Sequence, residues 1–136
     1  MSHDKNFDAW NFEKKRIDSL KPHTDFYIHE REVWWAAIGV NIGTEIDGKN
    51  QQYERPVLVL RKLGKEQFLG IPLTSKNKMG IFYTPIQYGE GNGTACISQI
   101  RVFSMQRLLR KIGKASTKDF EIITKQISKL ITTGRV

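Results

Sequence analysis

Cysteine is nearly missing from this chain of 136 residues. The single Cys96 has no partner for an intramolecular disulfide and no companion thiols for a zinc site, which fits a reducing interior. In the strand-like stretch around it, it reads as a small buried hydrophobe rather than a nucleophile. Histidine is scarce too, with three residues, His3, His23 and His29, all ahead of the apolar half of the sequence, so histidine catalysis is not expected. No apolar run approaches the roughly 20 residues of a membrane-crossing helix. The N-terminus mixes acids with Lys and Arg and lacks a signal-peptide core, so a cytoplasmic location is expected by default. The chain also lacks H-E-x-x-H, C-x-x-C, a Walker loop, a G-x-S-x-G elbow and a dinucleotide fingerprint, so neither a metal nor a cofactor is expected. Acids are the minority charge. Fourteen Asp and Glu against 22 Lys and Arg leave a net charge of +8, which makes an extended polyanion the first partner to consider.

What is present suffices for a folded core: 39% of residues are hydrophobic and 10% aromatic, at a length typical of a single domain. Phe7, Trp10, Ile17 and Leu20 fall near one face of a helix that Lys21 and Pro22 should end. Short apolar runs then follow at Glu32 to Gly39, Arg55 to Arg61, Gln67 to Thr74, Met79 to Ile86 and Thr94 to Phe103. They are separated by the polar loop Gly39 to Asn50 and by turns at Gly64 to Glu66 and Gly89 to Gly93, a pattern of strands in a compact antiparallel barrel or curled sheet. The run Val57 to Leu60 reads as a strand buried on both faces, and Pro72 marks an edge or a bulge. Helical spacing returns at Phe120, Ile123, Ile127, Leu130 and Ile131, with Ser116 and Asp119 at capping-box distance. The expected fold is α+β, with a helical extension over residues 1–29 and a barrel domain over residues 30–136.

Polar groups at strand ends are the remaining candidates for chemistry. The strands holding Arg55 and Thr74 should pair through the turn at Gly64 to Glu66, which sets the start of one beside the end of the other. If the partner is RNA, its own 2′-hydroxyl can serve as nucleophile. Arginine then stabilises charge on the phosphorane through its planar fork, and a threonine hydroxyl donates one more hydrogen bond. Arginine is too basic to act as the general base, for which Glu45, Asp47 and Glu54 in the preceding loop are candidates.

At these residues the sequence resembles the MazF/PemK toxins of bacterial type II toxin–antitoxin modules. The likeness runs from about Glu30 to the C-terminal helix. It rests on a Trp-containing first strand, Gly43-Thr44-Glu45, Arg55-Pro56-Val57-Leu58-Val59-Leu60, Pro72-Leu73-Thr74-Ser75-Lys76, and Ser98-Gln99-Ile100-Arg101 followed by Gln106-Arg107-Leu108. The resemblance implies an SH3-like barrel, a homodimer, and a metal-independent endoribonuclease. Such an enzyme cuts single-stranded RNA to 2′,3′-cyclic phosphate and 5′-hydroxyl ends and is silenced by a cognate antitoxin in the RNA groove. It implies Arg55 and Thr74 as the catalytic pair, and RNA contacts by Gly43, Thr44, Glu45, Ser75, Lys76, Gln99 and Arg101, with the loop Gly43 to Glu54 as a flexible gate. Two features depart from the family pattern: the long insertion Ile46 to Glu54 and the extension Met1 to His29. Two other readings compete. One is a CcdB-like gyrase poison. The other is a non-cleaving RNA-binding module that stacks bases on Tyr53, Phe82 and Tyr83.

Overall fold

A computed structural model describes residues 5–21 and 27–132. The expected helix terminator Pro22, together with His3 and His23, lies outside them. The chain forms α1 (Phe7–Asp18), β1 (Glu32–Ala37), β2 (Glu54–Lys62), β3 (Gln67–Thr74), β4 (Tyr83–Tyr88), β5 (Gly91–Cys96), β6 (Arg101–Ser104), β7 (Leu108–Lys114) and α2 (Thr117–Thr132). The strands form one antiparallel sheet in the order β4-β5-β3-β2-β1-β7, with β6 also paired to β3. A bridge between Tyr88 and Ala115 brings the two ends of that order together, so the sheet curls almost into a barrel.

Strand β2 explains why the sheet is central. Its alternating side chains enter two cores, Leu58 and Leu60 on one face and Val57 and Val59 on the other. The first core is capped by α2 through Ile123, with Phe120, Ile127 and Leu130 packed around it. The second holds Trp34, Phe68, Phe103 and Met105. Pro72 sits where the pairing of β3 with β6 ends at Gly70 and that with β5 begins at Leu73, the interruption its missing N–H predicts. Helix α2 is capped by Ser116, whose Oγ accepts from the Asp119 N–H at 3.1 Å. The Asp119 carboxylate does not complete the box; it accepts instead from the Gln87 N–H at 2.9 Å and ties the helix to β4.

Several sequence expectations need correction. Strand β7 was not expected, because its surface lysines and arginine mask the apolar pattern; it pairs with β1. The stretch Thr94 to Phe103 is two strands divided by a 3-10 turn at Ile97–Gln99. Residues 79–82 lie before β4, and Met79 is exposed. On α1 only Trp10 and Ile17 are buried and Phe7 is exposed; the helix ends at Asp18, so Leu20 lies past it and is exposed, as is Ile131 on α2.

Helix α1 packs on the outside of the barrel. Asn6 caps its start by accepting from the Ala9 N–H. Its end is held by Gln106, whose amide donates to the carbonyls of Ile17, Asp18 and Leu20 at 3.3, 3.0 and 2.7 Å. A helix terminus leaves carbonyls short of intrahelical partners, and Gln106 supplies donors there and just beyond it, although the Ile17 carbonyl also accepts from the Leu20 N–H at 3.1 Å. Trp10 packs against Tyr53, with ring centroids 5.3 Å apart. It also lies so close to Gly39 that any Cβ there would meet the indole at 2.1 Å.

Candidate functional site

The hairpin β2–β3 brings Arg55 and Thr74 together as its direction requires. Both line one cavity of about 170 Å³, and the Arg55 Nη1 donates to the Leu73 carbonyl at 3.3 Å. The Arg55 Nε donates to the Asp47 carbonyl at 2.7 Å, so two of the five guanidinium N–H groups are used and three remain. Thr74 Oγ1 accepts from the Lys76 N–H at 3.3 Å, which leaves its own proton to donate. Arg55 is 9% exposed and Thr74 5%, both at the wall of the cavity rather than in open solvent.

Charge in this cavity is one-sided. Lys49, Lys76 and Lys78 line it with Arg55, and no carboxylate and no histidine does so among the described residues. Burial pushes the Arg55 guanidinium below its ordinary range, against weaker pulls upward from Cys96 and Asp47. Lys49 is pushed down by burial first, then by the neighbouring charges of Arg55 and Lys76. Cys96 is buried, as its strand context implied, yet it also faces the cavity; burial raises its thiol, with Arg55 and Lys78 acting the other way. Cations gathered around one cavity with no carboxylate on its wall favour an anionic ligand with more than one negative oxygen.

The other expected site residues separate into groups. Thr44, Lys76 and Gln99 line the Arg55 cavity. Gln99 also lines a second, larger cavity of about 530 Å³ with Glu45, Ser98 and Arg101, so the two hollows adjoin along Ile46, Ser98 and Gln99. Gln99 pins the loop between them, accepting from the Ile46 N–H at 3.1 Å and donating to the Thr44 carbonyl at 3.2 Å. Arg101 stacks on Phe103, 4.9 Å from its centroid. Gly43 and Ser75 line neither cavity. Gly43 instead offers its carbonyl to Lys5 at 3.0 Å, and Ser75 is exposed beyond the end of β3.

None of the three candidate bases faces the Arg55 cavity. Glu54 is buried in a two-pronged pair with Arg110 at 3.2 and 3.1 Å. Asp47 accepts from the Asn41 N–H at 2.6 Å and pairs with Lys5 at 3.3 Å. Glu45 accepts from the Ile42 N–H at 2.9 Å. Of the three aromatics considered as stacking platforms, Tyr53 is packed under Trp10, Tyr83 lines the Arg55 cavity and Phe82 is partly exposed. Lys49 and Lys78 carry no mark in the sequence, since each stands in a loop whose path no periodicity reveals. Gln106 and Arg107 do structural work under α1; Arg107 donates to the Ala37 carbonyl, and burial, with Arg101 nearby, pushes it down to about 10. Among the described residues, no group of three or more His, Cys, Asp or Glu side chains could hold a metal ion, and no helix is long and apolar enough to cross a membrane.

Several solved structures share this architecture. MazF from Deinococcus radiodurans superposes with a TM-score of 0.66 at 18% identity, over 79% of this chain and 98% of that one. The MazE–MazF complex of the same organism gives 0.61 at 15% identity over 79% and 98%. An endoribonuclease from a mycobacterial species, in complex with its cognate antitoxin, gives 0.57 at 10% identity over 76% and 93%. These likenesses bear out the curled antiparallel sheet with its N-terminal and C-terminal helices. A sequence comparison with curated proteins finds no match. Residues 29–131 match the family model of the PemK-like, MazF-like toxins of type II toxin-antitoxin systems, so the chain belongs to that family.

Proposed function

We propose that this toxin is a metal-independent endoribonuclease that cuts single-stranded RNA, with Arg55 and Thr74 as its catalytic pair and a cognate antitoxin as its inhibitor. The observation that carries the reading is the shared cavity: a buried guanidinium with unused donors, a threonine hydroxyl with its proton free, and lysines around them without a carboxylate. The substrate's 2′-hydroxyl attacks the adjacent phosphorus, the bond to the 5′-oxygen breaks, and the products are a 2′,3′-cyclic phosphate and a 5′-hydroxyl. The 2′-hydroxyl gives up a proton and the 5′-oxygen takes one, so no net charge is made. Arg55 and Thr74 stabilise the extra negative charge of the phosphorane between those events. With Glu45, Asp47 and Glu54 engaged elsewhere, the cavity contributes charge stabilisation rather than a carboxylate base.

The adjoining larger cavity, with Gln99 and Arg101 on its wall, gives the strand a path beyond the scissile phosphate. Two of the similar solved structures contain an antitoxin. An acidic antitoxin segment would find the same unmatched cations that attract phosphates. That supports inhibition by competition for one surface, in a toxin acting as a homodimer. The test is to incubate purified protein with a single-stranded transcript in EDTA and characterise the ends. Fragments with 5′-hydroxyl and cyclic phosphate ends are expected. Intact RNA, or 5′-phosphate ends, would refute the reading.

A further inference from the structure

Lys5 lies well before the region that matches the family, which begins at residue 29, yet its ammonium reaches the loop that supports Arg55. It donates to the Asn41 carbonyl at 2.6 Å and the Gly43 carbonyl at 3.0 Å, and lies 3.3 Å from the Asp47 carboxylate. The other oxygen of that carboxylate accepts from the Asn41 N–H at 2.6 Å. Residues 41–47 are thereby closed into a ring with the lysine at its centre. The carbonyl of the same Asp47 accepts from the Arg55 Nε at 2.7 Å. We infer that Lys5 is a positioning residue for Arg55, fastening from the N-terminal extension the loop whose carbonyl sets the orientation of the guanidinium.

The extension is built to hold that lysine in place. Lys5 directly precedes Asn6, the cap of α1, and α1 is clamped by Trp10 against Gly39 and Tyr53 and by Gln106 at its far end. Trp10 acts on the other end of the same loop, since the Tyr53 carbonyl accepts from the Ile38 and Gly39 N–H groups at 2.9 and 3.1 Å. The Lys5 and Asp47 side chains are 24% and 29% exposed, so the pair is partly sheltered from solvent screening. Of the two backbone carbonyls that hold the Arg55 guanidinium, the Leu73 carbonyl belongs to a strand and is fixed by the sheet. The Asp47 carbonyl belongs to a loop outside the sheet, held by Lys5 and Gln99, by the Asn41 amide donating to the Ile46 carbonyl at 2.8 Å, and by the Gly48 N–H donating to the Gly39 carbonyl at 2.8 Å; of these fastenings only Lys5 comes from the N-terminal extension.

The inference rests on Arg55 acting in RNA cleavage, and two readouts separate the ideas. In the full chain, Lys5→Met and Lys5→Arg are compared with the parent protein for single-turnover cleavage in EDTA, for RNA affinity, and for solvent exchange of the Arg55 Nε–H proton by nitrogen-edited NMR. Lys5→Met is expected to speed exchange of that proton about 10-fold and lower the cleavage rate constant about 10-fold, a misplacement effect. Affinity should change by no more than about 2-fold, and Lys5→Arg should restore most of both losses. Unaltered exchange in Lys5→Met overturns the inference whether or not the protein cuts RNA. A loss confined to affinity also overturns it, since Lys5 would then be a phosphate contact. If the parent protein cuts no RNA while exchange responds as expected, the nuclease reading fails and the positioning of Arg55 stands.

Discussion

Burying a guanidinium is costly unless something compensates, and at Arg55 the compensation is incomplete: two backbone carbonyls serve it, and three lysines share its cavity. A phosphate would remove that imbalance. Thr74→Val keeps the volume and removes the hydroxyl, so it should slow single-turnover cleavage by roughly 10- to 100-fold with little change in RNA affinity, whereas Thr74→Ser should retain most of the rate. Lys49 supplies a pH signature. Its charge is held below the ordinary lysine range, so it loses its proton earlier as pH rises, and RNA affinity measured by titration should decline on the alkaline side sooner than in Lys49→Arg. At Gly48 any Cβ would fall 1.8 Å from the Tyr53 carbonyl oxygen. Gly48→Ala should therefore cost about 1–3 kcal/mol in urea unfolding.

Elements, more than single residues, determine how this barrel holds its rim. Strands β1 and β7 are fastened by Glu32, which accepts from Lys111 at 2.9 Å, from the Trp34 indole at 3.1 Å and from the His29 N–H at 2.9 Å. Burial pushes its carboxyl up, but these donors outweigh burial and hold it below the usual carboxylate range. A depressed carboxyl contributes stability that is complete above its unfolded value near about 4.3 and is lost as pH falls through the folded value. Thermal unfolding across that acid window should show the loss in the parent protein and a flatter response in Glu32→Gln. Strand β3 was readable to the residue, because its apolar run is bounded by polar turns on both sides. Strand β7 was not, since its sequence alternates poorly and half its side chains face solvent. The meeting of Arg55 and Thr74 was legible from hairpin direction alone. Lys49, Lys78 and the wall formed by Cys96 were not, because loop paths depend on contacts such as Gln99 to Ile46 that lie far apart in sequence.

Across the whole molecule, a net charge of +8 attracts any nucleic acid, but the cations at the Arg55 cavity focus that attraction where cleavage is proposed. RNA affinity should fall with salt on a log–log slope of about −0.7 for each phosphate engaged, and Lys76→Ala should make that slope shallower. The helical extension adds a second layer, since it braces the rim from outside the family-matched region. The most direct measurement is single-turnover cleavage of one single-stranded RNA, in EDTA, by the parent protein and by Arg55→Ala, with binding measured alongside. The expected result is cutting by the parent protein and a loss of at least about 100-fold in the cleavage rate constant of Arg55→Ala at saturating RNA, well beyond any loss of affinity. Equal cutting by the two proteins would contradict it.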